Sequence, residues 1–251
     1  MKHKIIIGNW KVNPITLAEA RRLLRSIRRT AQDLKSTKVV ICPPFVYIPS
    51  ALSARKSEVI VGSQDVYFEN QGSFTGEISP LMLKDLGVEY VIVGHSERRK
   101  MGETDEDVAK KVRLLLEDNI KPVVCVGEAE HDQAGLYLDT LKNQIKNSLA
   151  KVQKKYARNL IIAYEPIWAI GAKESMDPKI IHEMSLFIKK VLSDMFGHDE
   201  ALSTPVLYGG SVNFRNAGDI ISRGEVDGLL VGRESVNGPG FTELLKAVDS
   251  I

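Results

Sequence analysis

The sequence predicts a single α/β domain over residues 1–251, folded as a closed (β/α)8 barrel of eight parallel strands. Eight short apolar runs recur along the chain, helical patterns separate nearly all of them, and the length of 251 residues is typical of such a barrel. Strands without polar alternation are typical of a parallel sheet covered on both faces. An open doubly wound sheet is the alternative, but the turn at residues 8–11 lacks that fold's glycine fingerprint.

The first half of the chain supplies four of the eight units. Its apolar runs begin at Ile5, Val39, Val59 and Tyr90. Apolar residues at helical spacing from Leu17 to Leu34 predict a helix between the first two runs. The opposite face of this helix carries Arg21, Arg25, Arg28 and Arg29. No aromatic residues are interleaved with them, so we interpret this as a solvated helix face and expect no nucleic-acid partner.

The second half repeats the alternation. Its apolar runs begin at Val123, Leu160, Pro205 and Gly228. Helical patterns accompany them over residues 105–118, 136–156, 177–195, 217–221 and 241–248. Asp177 followed by Pro178 is a strong helix start, because Asp caps the first free N–H groups and Pro is favoured in the first turn.

Composition is that of a globular protein and limits its partners. Hydrophobic residues make up 43% and charged residues 26% of the chain. A net charge of only +2 predicts no steering toward nucleic acid or membrane surfaces. No apolar stretch is long enough to cross a bilayer and no signal peptide is visible, so we expect a cytoplasmic protein. Cys42 and Cys125 lie in apolar runs and are expected to be reduced core thiols.

Polar or glycine residues follow five of the predicted strands at their carboxyl ends. In chain order they are Asn9 and Lys11, His95 and Glu97, Glu165, Gly209-Gly210-Ser211, and Gly232. All strands of a parallel barrel open their carboxyl ends on one face, so these residues are predicted to meet at one mouth. Each has an ordinary explanation by itself, such as a solvent charge or a turn glycine, but five at one face indicate an active site.

Three of these side chains suit proton abstraction beside a carbonyl group. A carboxylate such as Glu165 can take the carbon-bound proton, while a neutral imidazole and a cation stabilise the developing oxyanion. His95 precedes a short predicted helix at residues 96–99, whose N-terminal dipole disfavours imidazolium. His95 is therefore predicted to be neutral, and Lys11 is the cation.

The glycine turns after the seventh and eighth strands predict a phosphate site. Bare backbone N–H groups at a tight turn can surround an anion, and these two loops of a barrel often do so. No Walker A loop is present, and no cluster has the spacing of metal ligands. We therefore expect a phosphate-bearing ligand and no metal site.

The segment after Glu165 predicts a lid over residues 166–176. Pro166 ends the strand, Ile167 and Trp168 are apolar anchors, and small residues follow them. A strand-ending glutamate before an ordinary surface loop is the alternative explanation for this stretch.

Four motifs together resemble the triosephosphate isomerase family along essentially the whole chain. They are Gly8-Asn9-Trp10-Lys11, Gly94-His95-Ser96-Glu97-Arg98-Arg99, Tyr164-Glu165-Pro166-Ile167-Trp168-Ala169-Ile170-Gly171 and Tyr208-Gly209-Gly210-Ser211-Val212. The resemblance implies a TIM barrel that interconverts dihydroxyacetone phosphate and glyceraldehyde 3-phosphate without a cofactor or metal.

The resemblance also assigns roles to individual residues. It implies Glu165 as the base, His95 as the electrophile, Lys11 and Asn9 as oxyanion-stabilising groups, and Glu97 as their support. Backbone N–H groups are implied to bind the phosphate, and they belong to Gly171, Ser211, Gly232 and Arg233.

A homodimer is a further implication of the resemblance. The loop from Gln64 to Glu77 is similar to the family's long third loop, which reaches into the partner subunit and would bring Thr75 near the partner's site. Three segments depart from the family pattern: residues 172–176 at the far end of the lid, the last phosphate turn Gly232-Arg233-Glu234-Ser235, and Arg98-Arg99-Lys100-Met101-Gly102-Glu103. The third of these is one residue shorter than the usual pattern and lacks its aromatic residue.

Two other functions share parts of this pattern. Another phosphate-binding barrel, such as a sugar-phosphate epimerase or an isomerase of aromatic amino-acid synthesis, would share the glycine turns. A non-catalytic phosphate sensor would share them too, but a pure binder needs no carboxylate beside a phosphate ester. The combination of Asn9, Lys11, His95 and Glu165 favours the isomerase.

Overall fold

A computed structural model describes residues 3–53, 57–132, 134–169 and 175–251. Eight parallel strands, each paired with the next and the last with the first, close into a barrel. In chain order β1 to β8 span Lys4–Asn9, Thr37–Cys42, Val59–Ser63, Tyr90–Val93, Lys121–Val126, Ile161–Tyr164, Val206–Tyr208 and Gly228–Val231. The predicted (β/α)8 fold is confirmed, and each strand coincides with one predicted apolar run.

Helices cover the outside of the barrel. Within the described parts of the chain, α1 to α10 span Leu17–Ala31, Ile48–Leu52, Pro80–Leu86, Ser96–Lys100, Asp105–Glu117, Leu136–Ser148, Pro178–Phe196, His198–Ser203, Ala217–Gly224 and Gly238–Asp249. Asp177 caps α7 as predicted, because its carboxylate accepts the N–H of Lys179 at 2.8 Å. In the same described parts, no helix is both long and apolar enough to cross a membrane.

The predicted helix over residues 136–156 was wrong in its length. α6 ends at Ser148, and a separate 3-10 helix covers Lys154–Asn159. A helix of 13 residues is about 20 Å long, close to the length of the six-residue strand β5 that it packs beside. A helix of the predicted length would run about 10 Å past the end of that strand, so the chain turns before β6 begins.

The barrel interior is apolar, and its side-chain rows lead to the mouth. Alternate strand residues fill the interior, including Ile7, Ile161 and Ala163, which are 0–3% exposed. Because side chains alternate along a strand, the next residue on the same row after Ile7 is Asn9, and the next after Ala163 is Glu165. Strand periodicity therefore places both polar residues at the carboxyl end of the interior.

Candidate active site

The backbone of Lys11 adopts an unusual conformation at the mouth, and neighbouring side chains hold it there. Its φ of 52° lies in the left-handed region, which costs a non-glycine residue about 1–3 kcal/mol. Two contacts fix this conformation: Asn9 Oδ1 accepts the Lys11 N–H at 3.0 Å, and the Gln64 amide donates to the Lys11 carbonyl at 2.8 Å. Gln64 also donates to the Cys42 carbonyl at 3.0 Å, so β2 and β3 position a residue that follows β1.

Glu97 joins Lys11 to His95. The Lys11 ammonium donates to Glu97 Oε1 at 2.6 Å, and Glu97 Oε2 lies 3.8 Å from His95 Nδ1. Partial burial raises the pKa of Glu97, but the hydrogen bond and charge of Lys11 outweigh this and hold it below its usual value. Glu97 therefore stays ionised and keeps the Lys11 ammonium in one place.

His95 and Glu165 face each other inside the mouth. His95 Nε2 lies 3.4 Å from Glu165 Oε1, and both side chains are about 6% exposed. Glu165 Oε2 is buried, and the described residues offer it no hydrogen-bond partner. A carboxylate oxygen is an acceptor, so Oε2 can accept a hydrogen bond or a proton from a molecule bound at the mouth.

The hydrogen bonds of His95 define its neutral tautomer. Glu97 N–H donates to His95 Nδ1 at 3.1 Å, at the start of α4. Nδ1 can accept this bond only while unprotonated, so the proton of the neutral ring is on Nε2 and points toward Glu165.

The negative charge of Glu165 favours the protonated form of the His95 ring. Burial has the largest single effect and lowers the pKa of His95, but the charge and hydrogen bond of Glu165 and the charge of Glu97 together raise this pKa above its usual value. A proton taken up by Glu165 cancels that carboxylate charge. Burial then favours the neutral ring that the sequence predicts for His95 during the reaction, and that neutral state stays a prediction.

Close packing against Glu165 explains why a glycine occupies position 209. A Cβ built on Gly209 would lie 2.6 Å from Glu165 Cγ, well inside van der Waals contact. Any side chain at this position would push Glu165 aside. Gly209 therefore positions the carboxylate, in addition to its expected place in the phosphate turn.

The second predicted phosphate turn lies beside Lys11. A Cβ on Gly232 would be 3.4 Å from Lys11 Cε, and Arg233 begins a 3-10 helix over Arg233–Val236. Ser235 Oγ donates to the Asn9 and Gly232 carbonyls at 3.2 and 2.7 Å, which ties this turn to β1. The Ser211 carbonyl accepts from Asn216 at 3.0 Å, next to α9. Gly171, the remaining predicted phosphate ligand, lies outside the described residues.

Sequence reasoning missed the residues that bind the start and the far end of the predicted lid. Glu128 Oε1 accepts hydrogen bonds from Tyr164 Oη at 2.9 Å and from Trp168 Nε1 at 3.0 Å. At the far end, the Met176 N–H donates to Tyr208 Oη at 3.2 Å. Glu128 closely follows β5, and that position was the available signal, because Glu165 stands in a similar place after β6.

Comparison with known proteins agrees with this geometry. The family model described as triosephosphate isomerase matches residues 4–248. A triosephosphate isomerase of Natranaerobius thermophilus is 40% identical, over 98% of this chain and 96% of the relative. One of Fusobacterium nucleatum is 40% identical over 98% and 99%, and one of Clostridium botulinum strain Loch Maree is 41% identical over 98% and 99%. With the barrel and these matches together, the chain belongs to the triosephosphate isomerase family.

Proposed function

We propose that this chain interconverts dihydroxyacetone phosphate and D-glyceraldehyde 3-phosphate through an enediolate. The observation that carries the proposal is the pairing of His95 Nε2 with Glu165 Oε1 at 3.4 Å inside a buried mouth. A base and a hydrogen-bond donor this close together can act on a carbon-bound proton and on the oxygen of the adjacent carbon in one substrate.

The reaction needs two protein groups, a base and a proton donor, that act on adjacent atoms of the substrate. Glu165 removes the proton from the carbon beside the carbonyl group, and the electron pair of that bond forms the carbon–carbon double bond of the enediolate. The carbonyl oxygen gains negative charge, which the Nε2–H of His95 and the Lys11 ammonium stabilise. His95 passes a proton from the hydroxyl group of the deprotonated carbon to the former carbonyl oxygen, and Glu165 returns its proton to the neighbouring carbon, so the atoms balance without a cofactor.

The supporting residues keep the electrostatic groups in place before substrate arrives. Asn9 fixes the Lys11 backbone, and Glu97 fixes the Lys11 ammonium. The backbone N–H groups of Ser211, Gly232 and Arg233, with that of Gly171, bind the phosphate. Groups fixed in advance require little reorganisation as charge develops, which is the main source of such stabilisation.

Replacement of Glu165 by Asp tests the base. The shorter side chain withdraws the carboxylate by about 1 Å and leaves the phosphate contacts intact, so turnover is expected to fall by about 10²–10³-fold with KM little changed. A coupled isomerase assay measures both constants. Glu243→Asp, an exposed residue of α10, is the control. Equal turnover in wild type and Glu165→Asp would refute the role of Glu165, and an inactive wild type would refute the proposed function.

The proposal includes a homodimer. Exposed apolar side chains crowd the segments that follow β1 to β4: Val12 is 90%, Ile15 88%, Val46 78%, Met101 74% and Phe74 41% exposed. Apolar residues gathered in neighbouring loops are typical of a protein–protein interface. Phe74 belongs to the loop from Gln64 to Glu77, whose Thr75 would lie near the partner's site in such a dimer.

Sedimentation equilibrium tests the dimer. Wild type is expected at about twice the mass of one chain. Val46→Asp buries a charge in the interface and is expected to shift the protein to the monomer. Leu186→Asp, on the exposed face of α7, is the matched control and should remain dimeric. A monomeric wild type would contradict the proposal.

A cytoplasmic location belongs to the same proposal. Cys42 and Cys125 are both buried and free, as expected of a protein in a reducing compartment. Burial raises the pKa of both thiols, and the charge of Glu165 raises that of Cys125 further, so neither ionises at neutral pH.

A further inference from the structure

A histidine outside the catalytic cluster packs against the start of the predicted lid. His131 lies between β5 and α6, and its ring stacks on Tyr137 with centroids 3.8 Å apart and planes at 29°. Trp168 meets the same ring at 5.9 Å and 75°, an edge-to-face contact. The His131 side chain is 32% exposed, so solvent protons reach it. The mechanism above makes no use of it.

His131 also approaches the carboxylate that holds Trp168. Glu128 is 1% exposed, and its Oε1 accepts the hydrogen bonds of Tyr164 and Trp168. Its Oε2 is buried and has no hydrogen-bond partner among the described residues. His131 Nδ1 lies 3.8 Å from Oε1. That distance is too long for a hydrogen bond but suits an ion pair once the ring is charged.

Burial makes this carboxylate sensitive to a nearby positive charge. An ionised group in the interior is costly unless it is paired. Within the described part of the chain, no lysine or arginine forms an ion pair with Glu128, and His131 is the basic side chain that approaches it. The charge on His131 therefore alters how firmly Glu128 is held beneath Trp168.

We propose that His131 is a positioning residue for the reaction proposed above: its protonated ring pairs with Glu128 and steadies the Trp168 indole where the predicted lid begins. The inference rests on the proposed function for its kinetic consequence, but the contact between His131, Glu128 and Trp168 does not depend on it. The ion pair exists only while His131 is protonated, so it is present at low pH and lost as pH rises.

The surroundings of His131 are neutral or acidic. Tyr137 faces it from α6, and Tyr164 approaches Glu128 from β6. Burial raises the pKa of Tyr137, and the negative charges of Glu128, Asp132 and Glu183 raise it further, so these three acids lie close to the ring on which His131 stacks. None of these groups opposes a positive charge on His131.

Fluorescence of Trp168 without substrate tests the contact. The chain has two tryptophans, so Trp10→Phe leaves Trp168 as the single reporter. Its emission between pH 5 and 8 is expected to show a titration step. The step should disappear in Trp10→Phe/His131→Phe, because Phe keeps the stacking on Tyr137 but cannot ionise.

A second histidine provides the matched control for the fluorescence. His182 is also 32% exposed and lies 3.7 Å from a glutamate, Glu225, which is itself exposed. Trp10→Phe/His182→Phe should keep the step. A step that persists without His131, or no step in Trp10→Phe, would overturn the proposal whether or not the protein is an isomerase.

Steady-state kinetics test the consequence for turnover. At pH 6, His131→Phe is expected to lower kcat about fivefold, the size of one modest ion pair, with KM within about twofold of wild type. At pH 8 the two proteins should converge. His131→Lys keeps the charge and should retain the low-pH behaviour at pH 8. A loss in His131→Phe that is equal at both pH values would mean a structural role only and would overturn the inference.

Discussion

The two sides of the barrel mouth are built on different principles. On the β1–β4 side, Lys11, His95 and Glu97 are joined by direct bonds, and Gln64 fixes the Lys11 backbone from below. On the β5–β8 side, Glu165 keeps one buried oxygen that no described residue satisfies, and Gly209 packs against its side chain.

The difference separates two tasks of the proposed reaction. Stabilising a developing oxyanion requires dipoles and charges that do not move, and the bonded network on the first side provides them. Accepting and returning a proton requires a carboxylate that is free to change partners, and the second side leaves Glu165 free to do so. Rigidity and open hydrogen-bonding capacity therefore lie on different sides of the mouth.

Loss of the fixed cation tests the first side most severely. Lys11→Met removes one oxyanion-stabilising group and leaves Glu97 unpaired, so turnover is expected to fall by about 10²–10³-fold. Lys84→Met, which breaks an ion pair between α3 and Asp118 at 2.9 Å, is the control in the coupled assay. Near-normal turnover in Lys11→Met would show that the network is structural.

Crowding of the base tests the second side. Gly209→Ala places a methyl group 2.6 Å from Glu165 Cγ and displaces the carboxylate. A shift of about 1 Å is expected to lower turnover by about 10²-fold. In the control, Gly218→Ala, the nearest atom would be 3.6 Å from the new Cβ, so activity should be unchanged. Full activity in Gly209→Ala would mean that Glu165 has room that the packing does not indicate.

A smaller effect is expected from the residue beneath Lys11. Gln64→Ala removes two hydrogen bonds and lets the left-handed backbone of Lys11 relax. We expect turnover to fall about tenfold and the free energy of unfolding to fall by about 1–2 kcal/mol, measured by urea denaturation. Gln32→Ala, exposed at the end of α1, is the control. If stability fell without any change in turnover, the strained Lys11 backbone would have no part in catalysis.

Much of the fold could be predicted because strand periodicity is local. Eight apolar runs identify eight strands, and the alternation of side chains along each strand is enough to assign Asn9 and Glu165 to interior rows. The helix over residues 136–156 was overestimated, because its length is limited by the height of the barrel and no helix-ending glycine or proline marks the position.

The sequence by itself determined the parallel barrel, the side of the barrel on which the polar residues gather, and through its motifs the family. Alternation, helix caps and turn glycines act over a few residues, so they are readable in the chain. Only the tertiary structure decided that Glu128 holds Trp168, that Gly209 makes room for Glu165 and that Gln64 fixes Lys11. These contacts join residues that different strands bring together, and their distances depend on how the whole barrel closes.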